Sequence, residues 1–148
     1  MANTSAICSS FKQELLQGKH NFSSSGGDTF KIALYDSAAT LGASTTGYSS
    51  AEEITNTSGT AYTATGAELT RTGVGLTGTT AFTDFGDVTY TSASFTANAA
   101  LIYNTTTGTN TGTTDAVCAI AFGGDKTASN GTFKIEFPAN DATAAIIR

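Results

Sequence analysis

Threonine is the residue that most constrains this chain. Of its 148 residues 29 are threonine, and most stand in short runs with glycine, alanine and aromatic residues. Branching at Cβ restricts χ1 and suits the pleated surface of a strand, and the hydroxyl forms hydrogen bonds without carrying charge. Chemically reactive residues are few, with one histidine, two cysteines and 13% charged residues. The composition therefore predicts a β-rich module that presents a surface.

Short strand-like segments separated by turns rich in Gly, Thr and Asn fill most of the chain. They span residues 29–35, 62–72, 86–91, 94–103, 115–122 and 131–137, with a possible last strand or tail at 144–148. We interpret residues 73–80 as a loop, and residues 123–131, which contain the tight-turn pair Asn130–Gly131, as the connection between two strands. This pattern predicts a mainly β, antiparallel β-sandwich of about six to seven strands, in a single domain over 1–148 with the sandwich at 28–148.

One segment has helical periodicity. Ile7, Phe11 and Leu15 recur at intervals of four, Thr4 or Ser5 can cap the start, and Gly18 follows the end. We expect a short amphipathic N-terminal α-helix at about 5–17. Its apolar stripe must be buried, because so short a helix is marginal alone. Two interpretations remain open: the helix covers the core of its own domain, or it forms an arm that docks on a neighbouring subunit.

No set of side chains has the spacing of a catalytic or metal site. His20 has no partner ligands nearby in sequence, and we interpret it as a surface or junction histidine. Asp84 and Asp87 lack calcium-loop spacing and fit carboxylates that bind local backbone amides. Glu52 and Glu53 fit a solvated pair. We therefore expect no catalytic, cofactor-binding or metal-binding residues, no cofactor, and no enzymatic activity.

Cys8 and Cys118 stand far apart with no metal-type spacing. Two buried free thiols are the simpler interpretation, because free cysteine packs as a small apolar residue. A disulfide that fastens the N-terminal segment to a core strand is the alternative, and it would need an oxidising environment.

Charge and hydropathy limit the partners. A net charge of −5 and seven scattered basic residues argue against nucleic-acid binding, which needs clustered Lys and Arg. No apolar run approaches the ~18–20 residues that cross a membrane. The start of the sequence lacks the basic and apolar regions of a signal peptide, so we expect synthesis in a cytoplasm.

Several segments together resemble a family of small structural proteins of tailed bacteriophages. They are residues 10–16 with Gly18 and His20-Asn-Phe22, then 28–35, 59–62, 80–85 and 100–104. The resemblance runs in order along nearly the whole chain, and the Asp-Thr-Phe-Lys-Ile-Ala-Leu-Tyr run at 28–35 belongs to its most specific part. It implies a location in the virion, with assembly on the phage particle, and it supplies no known functional residues.

Within a virion we expect a capsid decoration (cement) protein that binds the outer surface of the assembled head and stabilises it. Its partners would be the major capsid protein and copies of itself, as a homotrimer or as monomers. A tail or head–tail component, such as a tail-tube, connector or fibre-type subunit, is the alternative, and a secreted adhesin is a third class. The candidate interface combines the helix stripe, tyrosines and loop threonines: Ile7, Phe11, Leu15, Tyr48, Tyr62, Thr106 and Thr109.

Overall fold

The computed structural model describes residues 2–55, 61–106 and 114–148. The chain is mainly β, with 48% of its residues in strands and 6% in helix. The elements, in order, are β1 (Ala6–Ile7), α1 (Ser9–Leu16), β2 (Phe30–Tyr35), β3 (Ala67–Leu69), β4 (Arg71–Thr77), β5 (Thr80–Phe85), β6 (Val88–Asn104) and β7 (Asp115–Ile135). Two antiparallel sheets and one short N-terminal helix confirm the predicted class and are consistent with a β-sandwich.

The larger sheet has the strand order β1-β7-β6-β2-β3, and the smaller one is the β4–β5 hairpin. The central strands are buried on both faces, since β2 and the second half of β6 expose almost nothing. The prediction of a strand at 29–35 is confirmed by β2. Its partner β6 pairs with it from Tyr35–Ala99 to Phe30–Asn104 in unbroken register.

β6 and β7 are longer than the sequence pattern predicts. The two segments at 86–91 and 94–103 form the single strand β6, and those at 115–122 and 131–137 are joined in β7. The expected turn at Asn130–Gly131 is wrong: Asn130 adopts φ 47° inside β7, and Gly131 pairs with Ala93. Bulges absorb these irregular residues, so the ladder continues through positions that resemble turns.

The smaller sheet corrects a second expectation. Residues 73–80 are not a loop, because Val74 to Thr77 pair with Thr83 to Thr80 across a two-residue turn. Gly75 lies opposite Phe82, and a Cβ on Gly75 would stand 2.4 Å from the end of that aromatic ring. The ring therefore covers the backbone of the facing glycine, an arrangement that supports glycine in strands.

The helix is shorter than predicted, because the residues before it are used in the sheet. Ala6 and Ile7 pair with β7, and α1 begins only at Ser9, after Cys8 in extended conformation. At its end the Gly18 N–H donates to the Leu15 carbonyl and the Lys19 N–H to the Glu14 carbonyl. With Gly18 at φ 69°, this is a Schellman motif.

The helix packs on the core of its own chain. Phe11 is fully buried, and its ring lies 5.9 Å from that of Phe22, which stacks on Phe30 at 4.6 Å. Phe85 completes this cluster at 5.5 Å from Phe30. Of the two interpretations of the helix, the structure shows the first. Because Phe11 is part of the core, removal of the helix would expose that core. The interpretation of the helix as an arm that docks on a neighbouring subunit is therefore wrong for this structure.

A buried carboxylate fastens the long segment between β2 and β3. Glu53 is 7% exposed, which corrects its interpretation as half of a solvated pair. It accepts hydrogen bonds from the hydroxyls of Tyr48 (2.6 Å) and Tyr62 (2.5 Å) and from the Thr65 N–H (2.7 Å). The Tyr62 hydroxyl in turn accepts the Leu34 N–H of β2 at 3.0 Å. The network ties this segment to the larger sheet.

Both cysteines are buried and free. β1 places Ile7, and not Cys8, directly opposite Cys118. Burial raises the pKa of the Cys8 thiol to about 11 and also raises that of Cys118. The interpretation as two buried free thiols is therefore confirmed in this structure, and the disulfide is not formed.

Candidate interaction surface

Four large apolar side chains of the described ranges are exposed. Leu15 is 41% exposed, Leu16 92%, Val74 64% and Leu76 71%. Single exposed apolar residues are common on proteins, whereas a contiguous set marks an interaction site. These four come from only two places in the chain, the last turn of α1 and strand β4.

The α1 side of this surface is held by a buried hydrogen-bond chain. The His20 side chain is fully buried, and its Nε2 lies 2.7 Å from the Glu14 carboxylate. Its Nδ1 lies 3.0 Å from the Asn104 amide nitrogen, which also donates to Asp28 at 2.7 Å. Because an amide NH2 group only donates, Nδ1 accepts and Nε2 carries the proton. His20 therefore sits at a junction, as expected, but is not on the surface, and both ring nitrogens are occupied.

The hairpin side follows from strand alternation. Val74 and Leu76 are two residues apart and so share one face of β4, and Ala81 lies directly opposite Leu76 on β5. The Thr83 hydroxyl donates to the Gly73 carbonyl at 2.8 Å, which holds the bulged part of the hairpin. The exposed side chains of Val74 and Leu76 therefore project from a strand whose backbone is held in place by hydrogen bonds.

The C-terminal residues form the floor between the two sides. Ile147 and Thr83 exchange backbone hydrogen bonds, with N···O distances of 3.0 and 3.4 Å. The fully buried Asp84 carboxylate accepts the N–H groups of Phe85 (2.8 Å) and Ile146 (3.1 Å). Burial raises the pKa of Asp84, and the two amide donors act against that rise. Asp87 accepts the Phe137 N–H at 2.9 Å, so both aspartates bind backbone amides as predicted. The expectation that these amides are local holds only for Phe85, because Ile146 and Phe137 lie 62 and 50 residues away from their aspartates.

Between α1, the hairpin and the C-terminal segment lies an open groove of about 640 Å³. Its apolar walls include Leu15, Phe22, Val74, Phe82 and Ile147. We call this site the apolar groove. Leu76 shares the face of β4 that carries Val74 and pairs with Ala81 of the groove wall, whereas Leu16 follows Leu15 in α1 and is not part of the lining. Its size falls within the ~300–1,000 Å³ of ligand sites, but it is wide open and is lined by few polar groups that converge. The arrangement suits contact with another macromolecule better than enclosure of a small molecule.

A second concavity of about 460 Å³ continues this surface around the helix. It is lined by Ile7, Lys12, Leu15, Ile146 and Arg148, among others. Lys12 and Arg148 place two cations beside the apolar walls, on a chain whose net charge is −5. The rim of the surface is therefore more basic than the chain as a whole.

Of the predicted interface residues, Ile7 and Leu15 line this surface. The prediction of an interface role is wrong for Phe11 and Tyr62, because they are 0% and 1% exposed and belong to the core. An apolar helical stripe or an amphipathic tyrosine has the same sequence pattern whether it packs on its own core or on a partner.

The other three predicted residues lie away from the groove. Tyr48 is half-buried and stacks on Tyr103 with ring centroids 4.7 Å apart. The half-buried Thr106 accepts the Thr29 N–H on its hydroxyl at 2.6 Å. Thr109 lies outside the described residues.

Leu16, Val74 and Leu76 were missed by the sequence reasoning. The period-two spacing of Val74 and Leu76 on either side of Gly75 was the available signal, and the interpretation of 73–80 as a loop hid it. Leu16 stands beside the apolar stripe of the helix and carried no separate signal.

The described ranges hold no candidate metal site and no membrane-spanning helix. They contain no cluster of three or more His, Cys, Asp or Glu residues placed to hold a metal ion. α1, at eight residues, is too short to span a membrane, and no other helix within these ranges is long and apolar enough. Comparison of the chain with protein-family models, with curated proteins and with solved structures returned no match.

Proposed function

We propose that this chain is a non-enzymatic structural protein of a bacteriophage virion, and specifically a capsid decoration protein. In this proposal it binds the outer surface of the assembled head through the apolar groove. The observation that carries the proposal is the groove itself. The exposed side chains of Leu15 and Val74 line it, and the exposed Leu76 shares the β4 face of Val74. Their base is fixed by the Glu14–His20 contact and the Asp84 carboxylate. The sequence resemblance to phage structural proteins supplies the location.

The energy available in the groove suggests how such a protein acts. Burying a large aliphatic side chain fully contributes roughly 2 kcal/mol, so the exposed fractions of Leu15, Val74 and Leu76 together offer about 3.5 kcal/mol. Association costs an estimated ~4–15 kcal/mol in lost freedom of movement. One groove is therefore a weak site, and copies joined in a homotrimer would gain affinity because their second and third contacts are intramolecular.

Stabilisation of the head then follows from mass action. A protein that binds the assembled shell and not the free capsid subunit lowers the free energy of the shell alone. No chemical step is needed, which agrees with a surface of apolar and hydroxyl groups.

A tail or head–tail component is the second candidate, and one observation favours it. Among the described residues, β7 pairs with β1 only at Cys118 and Ala119, so most of its outer edge has no strand beside it. An unpaired edge can extend a sheet between copies of a subunit, as a tube would require.

Copy number in purified virions separates the two candidates. Isotope-labelled reference peptides in mass spectrometry give the number of copies per particle relative to the major capsid protein. A ratio of one, or of one third, supports decoration. Copies in small multiples of six or three support a tail or connector role, and absence from the particle refutes both.

A further inference from the structure

The outer edge of β7 is a second surface, on a different part of the fold from the apolar groove. β1 covers it only at Cys118 and Ala119, and the Ser5 hydroxyl then accepts the Ala121 N–H at 2.9 Å. Beyond that point, as far as Ile135, none of the strands in the described ranges pairs with this side of β7. A free edge offers a row of backbone N–H and C=O groups to an incoming chain.

A side-chain groove runs beside this edge. Ala121 of β7 pairs with Ala99 of β6, and Lys126 pairs with Ala97. Five steps along β7 therefore match two steps along β6, so β7 bulges and bends there. The bend brings the ring of Phe122 within 6.1 Å of that of Phe133. These two half-buried rings, with Ile120 and Ile135, line a groove of about 440 Å³.

Three of the four charged side chains at this groove are paired with one another. Lys134 lies between two carboxylates, 2.9 Å from Asp87 and 2.8 Å from Glu136. Lys126 also lines the groove, is exposed, and has no ion-pair partner among the residues that the structure describes. The charges named here sum to zero, but Lys126 is the cation without an ion pair, and it stands beside an apolar groove and an open strand edge.

We propose that the edge of β7 at residues 126–135 binds an extended strand of a partner polypeptide, with alternating apolar side chains and a carboxylate that meets Lys126. Main-chain hydrogen bonds to a free edge supply affinity, and a groove that accepts alternate side chains supplies selectivity. The carboxylate follows from charge complementarity at Lys126. This inference goes beyond the proposed function and does not depend on the decoration role, which uses the apolar groove. It concerns the same edge as the tail candidate but assigns it a different occupant.

A second copy of the chain fits this edge less well. If the edge pairs with itself about a two-fold axis at Asn130, Lys126 of each copy lies directly opposite Lys134 of the other. Like charges directly opposite one another destabilise a sheet. The bulge and the φ of 47° at Asn130 also interrupt the edge for any incoming strand, so regular pairing is confined to short stretches on either side of Asn130, which a short peptide segment can use.

The test uses a defined probe. A capped, fluorescein-labelled peptide of alternating valine and threonine with one central glutamate is titrated against the full chain by fluorescence polarisation. Hydrogen exchange of the complex then locates the contact. We expect saturable binding and slower exchange of amides within residues 126–135.

Charge reversal provides the matched controls. Lys126→Glu should weaken binding about threefold to tenfold, since it turns an exposed attraction into a repulsion, and a peptide with lysine in place of the glutamate should recover it. Lys19→Glu, in the turn after α1 and outside the lining of every groove described above, makes the same change in net charge and should leave binding unaltered.

Four results would overturn the proposal. They are no saturable binding at millimolar peptide, protection at the apolar groove in place of residues 126–135, edge protection that ignores the charge at Lys126, and concentration-dependent protection of the edge without peptide. The last would show that a second copy occupies the edge, and it would favour the tail candidate.

Discussion

The Glu53 network makes a quantitative prediction about stability. Glu53→Ala removes the acceptor of three donors, the hydroxyls of Tyr48 and Tyr62 and the Thr65 N–H. Tyr48 is half-buried and can turn to water, but the Tyr62 hydroxyl is almost fully buried and loses its acceptor. A buried group left without a partner costs about 1–3 kcal/mol, which applies to the Tyr62 hydroxyl. The loss of each of the other two hydrogen bonds costs about 0.5–1.5 kcal/mol, so the total is about 2–6 kcal/mol. Removal of a buried carboxylate offsets part of this, and we expect a net loss of about 3 kcal/mol.

Glu53→Gln should cost less than about 1.5 kcal/mol. Its amide oxygen can still accept from Tyr62 and Thr65, and its NH2 group can donate to the Tyr48 hydroxyl, which then turns its own proton outward. The difference between the alanine and glutamine variants thus measures hydrogen bonding at nearly constant shape.

Urea unfolding followed by circular dichroism measures both values, with the slope against urea compared to check that the unfolded states match. In thermal scans a loss of 3 kcal/mol corresponds to a fall of roughly 6–12 °C for a chain of this size. Glu52→Ala serves as the control, because its side chain is exposed and the variant keeps a Cβ at the same backbone position. A Glu53→Ala variant as stable as the control, or a glutamine variant as unstable as the alanine one, would refute the account of this network.

Three further predictions concern the fold. Gly66→Ala should lower the free energy of unfolding in urea by more than about 2 kcal/mol, because its Cβ would stand 2.0 Å from the Ile32 carbonyl oxygen. Gly18→Ala has a similar positive φ but open space around it, and should cost about 1 kcal/mol. Equal losses in the two variants would contradict this. The stability of the wild type relative to Asp84→Asn should increase as the pH falls from 7 to 4, since the folded-state pKa of Asp84 is raised and the stability linked to it is lost as pH rises through that value; a constant difference in pH-dependent unfolding would count against it. Cys8 and Cys118 should resist a thiol reagent at pH 8 in the folded protein and both react in guanidinium, because burial keeps them protonated and covered; titration of no thiols in denaturant would reveal a disulfide.

Local patterns predicted the fold class and the strands whose residues alternate cleanly. β2 follows from the alternation at 29–35, and Gly18 marks the end of the helix through its positive φ. The helix start was placed too early, because pairing of Ala6 and Ile7 with β7 overrides the helical periodicity. That pairing joins residues more than 100 positions apart, and no local pattern contains it.

The candidate site was harder to predict for the same reason. The sequence does not distinguish an apolar side chain that meets its own core from one that meets a partner. Phe11 and Leu15 share one helical stripe, yet the first is buried against Phe22 and the second is 41% exposed beside Val74. Only the placement of the β4–β5 hairpin beside α1 decides which is which. Glu53 is a parallel case, since its tyrosine partners give it a burial that its charged neighbour lacks.

The proposed decoration role is tested most directly by binding of the purified protein to the expanded empty heads of the phage that the proposal assigns to it. Co-sedimentation should show saturable binding of the wild type. The double variant Val74→Gln and Leu76→Gln should lose it without a change in melting temperature, because both side chains are exposed on the groove side of β4. The control variant Thr89→Gln, which places glutamine at an exposed position of β6 outside the groove lining, should bind like the wild type. Heads that fail to bind the wild type, or that bind the double variant equally well, would contradict the account.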